Sequence, residues 1–524
     1  MKLRRLFRIL GIALLIAATW PAHAQNLRVG LAVEPDSLDP QYHQFAPNSA
    51  FGFHLFDRLV HQDKDQRLVP GLAVAWRAVA PTLWEFDLRQ GVRFHDGTPF
   101  EAADVAFSID RARKVERSPS SFAPYLRSIV AVESVGASRV RITTREPNPT
   151  LPTDLSVIAI LSAKIHAETK QEDFASGKLA AGTGPYKIVG WTRGDRLTIE
   201  RNETYWGGPA PWARVEFRIL TADAARVAAL LADNVDMIES VPPTVLATLR
   251  ANPRFRLAEA PSNRLLFLSL DSARDQTPFA TDLAGNPLPA NPFKDARVRK
   301  ALSLAIAREP LADRVLEGVG TPAAQLVSAG FFGHDPSLKP AAQDIETARR
   351  LLGEAGYPNG FGITLHGPSN RYVGDIAAAQ AVGQMLSRIG LQVKVETMPP
   401  SVFLTRSAVP EFSLILIGYA AFSGEASSAL RVLVHSFDRE RGLGANNRGR
   451  FSSDAVDALI RQALVEVDDA KRETLLRDAT RLAMEQTALV PLVHYTNFWA
   501  SKAEIAYEAR GDEYTLAMSA RPRR

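Results

Sequence analysis

Between Leu83 and Ile109 the chain reads LWEFDLRQGVRFHDGTPFEAADVAFSI, and a change of period inside this stretch commits it to strands followed by a helix. Trp84, Phe86 and Leu88 alternate with Glu85, Asp87 and Arg89, the pattern of a half-buried strand, and Val92 and Phe94 restart that pattern after Gly91. Asp96-Gly97 then turns the chain. From Glu101 the spacing becomes helical: Val105, Ile109 and Ala112 fall on one face, with Thr98 and Pro99 leading in. No catalytic motif lies here, so the stretch speaks of scaffold.

The N-terminus reads as an address. Lys2, Arg4, Arg5 and Arg8 precede an apolar run from Ile9 to Thr19, and Ala22-His23-Ala24 supplies a small-x-small cleavage site, so residues 1–24 are expected to be a signal peptide and the mature chain to begin at Gln25. The apolar run is too short for a comfortable membrane span. Removing four basic and no acidic residues lowers the formal net charge from +5 to +1. A near-neutral chain lacks the basic stripe that phosphate backbones demand, so no nucleic-acid partner is expected. The sequence has no cysteine, which excludes disulfides, thiolate zinc sites and a lipid-anchored cysteine. Together these features predict a periplasmic protein without a lipid anchor, expected to be a monomer. About 500 mature residues suffice for two or more domains.

The two halves differ. Before about residue 260 strands are short and alternating, as in Leu27-Val29-Leu31 and Val140-Ile142, predicting mixed or antiparallel sheets. After residue 290 helix and strand alternate. Asp295 is placed to cap a helix bearing Val298, Leu302, Ala305 and Ile306; Asp344 caps another, which Gly356 ends. Strands at Ile363–Leu365 and Leu391–Val395 flank a helix through Ile376 and Leu386, so the fold class is α/β with largely parallel strands in this half.

The wording of Leu83–Ile109 resembles the extracytoplasmic solute-binding proteins of family 5, which serve peptide, dipeptide, glutathione and nickel importers of the ATP-binding-cassette (ABC) type. Similar wording recurs at Thr183-Gly184-Pro185-Tyr186, Tyr205-Trp206-Gly207-Gly208, Ala296 to Glu309 and Glu354 to Phe361, so the resemblance spans nearly all of the mature chain. It implies a two-lobed periplasmic-binding-protein fold: lobe I over 25–264 with an extra α+β subdomain at roughly 50–180, lobe II over 265–490, and a return to lobe I over 491–524. Strands near Arg264–Leu270 and Val490–Trp499 would cross between the lobes as a hinge. The implied work is binding rather than catalysis: capture of a small peptide or similar polar solute and its delivery to an inner-membrane ABC permease with a cytoplasmic ATPase.

Leu414-Ile415-Leu416-Ile417 is a run suited to a strand buried on both faces, and in open α/β sheets ligands sit beyond the carboxyl ends of such strands. The following loop is therefore a candidate site, with Tyr419 as a wall and Phe422 beside it. The family's peptide binders usually have Gly-Trp here and an Asp that pairs with the ligand amine; this chain has Gly418-Tyr419 and no Asp before Leu430. Glu425 either receives a ligand amine or caps the helix that begins near Ala426. Arg431, Arg264 and Arg371 are candidate carboxylate holders. Tyr42 and Phe45 are candidate lining residues near the mature start, and Tyr495, Asn497 and Trp499 are expected to share one face of the return strand. Histidines are scattered without HExxH, and neither a GxSxG elbow nor a phosphate loop occurs, so no metal site, cofactor or hydrolytic machinery is expected. A non-peptide solute (glutathione-like, sugar or metal chelate) remains an alternative ligand, and a periplasmic chaperone or secreted hydrolase an alternative role.

Overall fold

A computed structural model describes residues 26–170, 173–174, 180–369 and 371–523; the expected leader at 1–24 lies outside them. A mixed sheet of 12 strands runs through the molecule. Its centre is made by two long antiparallel strands, Phe255–Leu270 and Val490–Lys502. The amino-terminal part of the first, Phe255 to Pro261, pairs with Thr496 to Lys502, on the side where Met237–Ile238 and Asn26–Leu31 continue the sheet. The carboxyl-terminal part, from Leu265 onward, pairs with His494 to Val490 and with Leu414–Ala420 on its other edge. The register slips between Pro261 and Leu265. Two lobes result, joined by two crossing strands, as the family resemblance implied.

In lobe I, Asn26–Leu31 pairs in parallel with Arg214–Ile219 and Met237–Ile238, and Arg196–Arg201 and Tyr186–Thr192 extend the sheet antiparallel. Leu27, Val29, Ile199 and Phe217 pack under the helix Ala46–Leu55. Lobe II sets Gly362–Pro368 parallel to Gln392–Met398 and Leu414–Ala420. Leu414, Ile415, Leu416 and Ile417 are all buried, split between the cores on the two faces of the sheet, which is why this strand reads as an unbroken apolar run. Asp295 and Asp344 cap their helices through the backbone N–H groups of Arg297 (2.8 Å) and Thr347 (2.9 Å), and Gly356 adopts φ +94° at the helix end.

The extra subdomain holds the antiparallel sheet Ala73–Ala80, Leu83–Leu88, Arg139–Thr144 and Ile129–Ser134, with the helix Ala102–Lys114 packed on it through Val105, Ile109 and Ala112. The second strand expected at Val92 and Phe94 forms only an isolated bridge between Arg93 and Pro99. Phe94 N–H bonds the Thr98 carbonyl and Phe100 N–H the Val92 carbonyl, so the segment folds back on itself about Asp96-Gly97 and its apolar residues are buried without a ladder.

Two of the other family-like blocks, at residues 183–186 and 205–208, converge on one buried carboxylate. Asp57 accepts hydrogen bonds from Thr183 Oγ1 (2.9 Å), Tyr205 Oη (3.1 Å) and Trp206 Nε1 (2.8 Å), and His61 Nε2 lies 3.2 Å away. Burial alone would raise its pKa; His61 and these donors outweigh burial and hold it below the usual carboxylate range. These two blocks tie the subdomain to lobe I through Asp57.

Candidate functional site: a cleft between the lobes

Parallel strands bring their carboxyl ends to one place from both sides. In lobe I, Asn26–Leu31 and Met237–Ile238 end at Val33 and at Glu239-Ser240; in lobe II, Gly362–Pro368 ends at the loop that carries Arg371, Tyr372, Val373 and Gly374. These ends, with Arg264, Glu513 and the middle of the return strand, line a cleft of about 620 Å³. A cleft at strand carboxyl ends is where such sheets bind ligands.

The lobe I side of the cleft carries two acids and a base. Glu239 receives the Ala32 N–H at 2.8 Å and the Thr515 hydroxyl, which in turn accepts the Trp499 indole N–H at 2.9 Å. Burial pushes the Glu239 carboxyl above its ordinary pKa. Glu513 takes both Arg264 Nε and Nη2 at 3.1 Å, and Ser262 Oγ at 3.0 Å. Burial would lower Arg264, but Glu513 more than offsets it, so the guanidinium stays firmly charged. Across the cleft Arg371 is exposed; among the described residues its guanidinium has no ion pair, only the Tyr372 ring at 5.8 Å. Tyr372 donates its hydroxyl to the Gly418 carbonyl (3.1 Å) and Tyr495 to the Val373 carbonyl (2.9 Å), which fixes the lobe II wall. Ser240 (φ +49°) and Glu513 (φ +68°) both hold left-handed backbone, strain that concentrates at functional sites.

The family model described as bacterial extracellular solute-binding proteins, family 5 middle, matches residues 67–440. The chain belongs to family 5. A glutathione-binding protein, GsiB of Escherichia coli strain K12, is 26% identical, the match covering 94% of this chain and 95% of that protein. Among solved structures, HbpA2 from Haemophilus parasuis superposes with a TM-score of 0.82 at 23% identity, covering 95% of this chain and 100% of the other. DppA from Helicobacter pylori, solved with the peptide STSA, gives 0.75 at 22% identity, covering 95% and 98%. These likenesses agree with the mixed α/β, two-lobed architecture above.

Of the residues that sequence reasoning put forward in this family 5 chain, Arg264, Arg371, Tyr495, Asn497 and Trp499 line the cleft, and Phe45 lines a cavity adjoining it. The three return-strand residues do so without simple alternation, since Thr496, at the edge of the register slip, and Phe498 line it too. The remaining candidates lie elsewhere. Glu425 is buried, and its carboxylate is spent on Arg472 Nη1 (2.9 Å) and the Ser427 hydroxyl; it stands at the N-cap of Ala426–Ala429 without a side-chain cap bond. Phe422 is exposed, and its carbonyl, like that of Ser423, is taken by an amide of the hairpin at residues 60–70: Gln66 Nε2 at 2.8 Å and Gln62 Nε2 at 3.0 Å. Tyr419 and Arg431 face Asp154 and Tyr125 of the subdomain, and Tyr42 reaches the Arg117 carbonyl at 3.4 Å. Glu239 and Glu513 escaped notice. The apolar pair Met237-Ile238, which ends a strand just before Glu239, is a signal that the carboxyl-end rule could have used; none in the sequence marks Glu513.

Proposed function

We propose that the chain captures a small zwitterionic solute, of which short peptides and glutathione-like peptides are the type, and hands it to an ABC permease. The observation that carries this reading is the distribution of charge across the cleft: acids Glu239 and Glu513 on lobe I, the second shared with Arg264, and on lobe II Arg371, which has no ion pair among the described residues. A ligand amine held by the first pair and a carboxylate held by the second touch both lobes at once. Only such differential contact stabilises closure, since a ligand that contacts both states equally shifts nothing. The names of GsiB and DppA, a glutathione binder and a peptide complex, support this ligand class. In this reading residues 1–24 are cleaved on export to the periplasm, the lobes are 25–264 and 265–490 with 491–524 returning, the chain works as a monomer, and it catalyses nothing.

The test is calorimetric. Tripeptides with free termini should bind the wild type. Arg371→Ala should weaken them roughly tenfold to a hundredfold, the worth of a charged hydrogen-bonded contact, while leaving C-terminally amidated tripeptides unaffected. Equal losses for both would remove Arg371 from carboxylate recognition. Mass spectrometry of the solute that co-purifies from the periplasm gives the independent check: a solute without an amine–carboxylate pair overturns the assignment.

A further inference from the structure

A second cavity of about 220 Å³ opens beside the cleft, inside lobe I. The two share Val33, Glu239, Ser240 and Glu513, so they meet at an acidic rim. Behind that rim the walls are apolar: Leu31, Phe45, Ala50, Phe51, Phe217 and the Tyr514 ring. His54 completes the lining, and both of its ring nitrogens are occupied. Nδ1 lies 3.1 Å from the Phe51 carbonyl, and Nε2 accepts the Ala517 N–H at 2.9 Å. This tautomer is neutral, and burial draws the pKa down to about 4, so the wall carries no charge at neutral pH.

We infer that this cavity is a side-chain subsite for the amino-terminal residue of the solute, selecting an aromatic or branched apolar group. The inference rests on the zwitterion reading above and deepens it. If Glu239 and Glu513 hold the ligand amine, the side chain attached to the neighbouring carbon is the group delivered across the rim. An apolar cavity of about 150 Å³ is known to take benzene, so this volume suits a phenyl ring with its methylene, or a leucine side chain. Arg264 at the rim is already held by Glu513, and an apolar wall with no free donor leaves an acidic side chain unsolvated. The subsite belongs to lobe I alone, so it adds affinity in the open and closed forms alike and sets which solute is held, whereas the Arg371 contact sets whether the lobes close.

Titration calorimetry with four tripeptides, Phe-Ala-Ala, Ala-Ala-Phe, Ala-Ala-Ala and Glu-Ala-Ala, tests this. Phe-Ala-Ala should bind roughly tenfold to a hundredfold more tightly than Ala-Ala-Ala, the gain expected from burying a phenyl ring. Ala-Ala-Phe should gain much less, and Glu-Ala-Ala should be the weakest. Ala50→Phe, which fills the cavity from the helix Ala46–Leu55, should bring the ratio of Phe-Ala-Ala to Ala-Ala-Ala affinity close to one; Ala46→Phe serves if Ala50→Phe melts early. Binding of all four peptides with like affinity, or an equal gain for Ala-Ala-Phe, overturns the subsite while the zwitterion reading stands. Failure of all four to bind the wild type overturns both.

Discussion

Glu425 offers a clean test of whether the loop after Leu414–Ala420 binds ligand or builds lobe II. Its side chain is 5% exposed and that of Arg472 6%, with Oε2 and Nη1 2.9 Å apart. Arg472 has little else among the described residues: its Nε is buried without a partner, Nη2 reaches Asp469, itself largely exposed, at 3.4 Å, and the guanidinium lies 4.5 Å over the Phe332 ring. Glu425→Ala therefore strands a buried cation, which costs about 3–5 kcal/mol. For a lobe of some 200 residues that lowers the melting temperature by roughly 6–20 °C. Arg472→Met should cost a similar amount by stranding the acid. The double variant Glu425→Ala/Arg472→Met should cost less than the sum, because replacing both partners of a buried pair by apolar groups is near neutral. Scanning calorimetry reads all four corners of the cycle, and titration of free-amine and N-acetylated tripeptides follows in parallel. The structure requires a large stability loss and no selective effect on the free-amine peptides. A loss below about 1 kcal/mol, joined to a selective loss of free-amine binding, would refute it and return Glu425 to the ligand.

Asp57→Ala removes the acceptor shared by Thr183, Tyr205 and Trp206 and should destabilise lobe I by about 2–4 kcal/mol, whereas Asp57→Asn, which keeps an acceptor oxygen, should cost less; chemical unfolding separates the two. Burial pushes the Asp154 carboxyl from 3.8 up to about 7, against the opposing pull of Arg431 and with Glu425 adding to the rise. A raised folded-state pKa means the folded chain keeps the proton. Its stabilising share is therefore complete below about pH 4 and is lost as pH rises through 7, by at most about 1.4 kcal/mol per unit. Melting curves from pH 4 to 8 should show this slope in the wild type and a flatter one in Asp154→Asn. At Gly424, φ is +71° and a Cβ would overlap Gln66, so Gly424→Ala should cost about 1–3 kcal/mol and speed hydrogen exchange in the loop at 421–425.

Elements whose burial follows from local pattern were legible in the sequence. The helix face Val105, Ile109 and Ala112, the caps Asp295 and Asp344, and the doubly buried Leu414–Ile417 need only period and end residues to be found, and all stand as expected. Val92 and Phe94 did not become a strand because alternation reports burial rather than pairing, and the partner of Phe94 N–H is the nearby Thr98 carbonyl. Of the candidate residues, the sequence brings Arg264, Arg371, Tyr495, Asn497 and Trp499 to one cleft and leaves Tyr419, Phe422, Glu425 and Arg431 outside it. Several parallel strands end at the cleft, and the carboxyl-end rule could not say which loop faces the other lobe. The choice fell on the loop after Leu414–Ala420, whereas the loop after Gly362–Pro368 lines the cavity. Glu513 lies 249 residues from Arg264, beyond the reach of any periodic signal.

The displaced candidates explain each other. The carbonyls of Phe422 and Ser423 are held by Gln66 and Gln62, and Gln66 Oε1 in turn accepts from Asn263 Nδ2 (3.1 Å), beside the register slip in the crossing strand. A loop tied down in this way, with its carboxylate buried against Arg472, presents no acid to the cleft that Glu239 and Glu513 line. Under the proposed function, the lack of an Asp between Gly418 and Leu430 goes with acids on the opposite side of the cleft, at Glu239 and Glu513, while the loop itself bonds the hairpin at residues 60–70. An amine anchored on lobe I leaves Arg371 as the contact that distinguishes the closed form from the open one, so a solute lacking a carboxylate should bind without closing the protein. Small-angle scattering with a tripeptide and its C-terminal amide decides this. Compaction by both would show that closure does not depend on Arg371, and the division of labour between the lobes would fall.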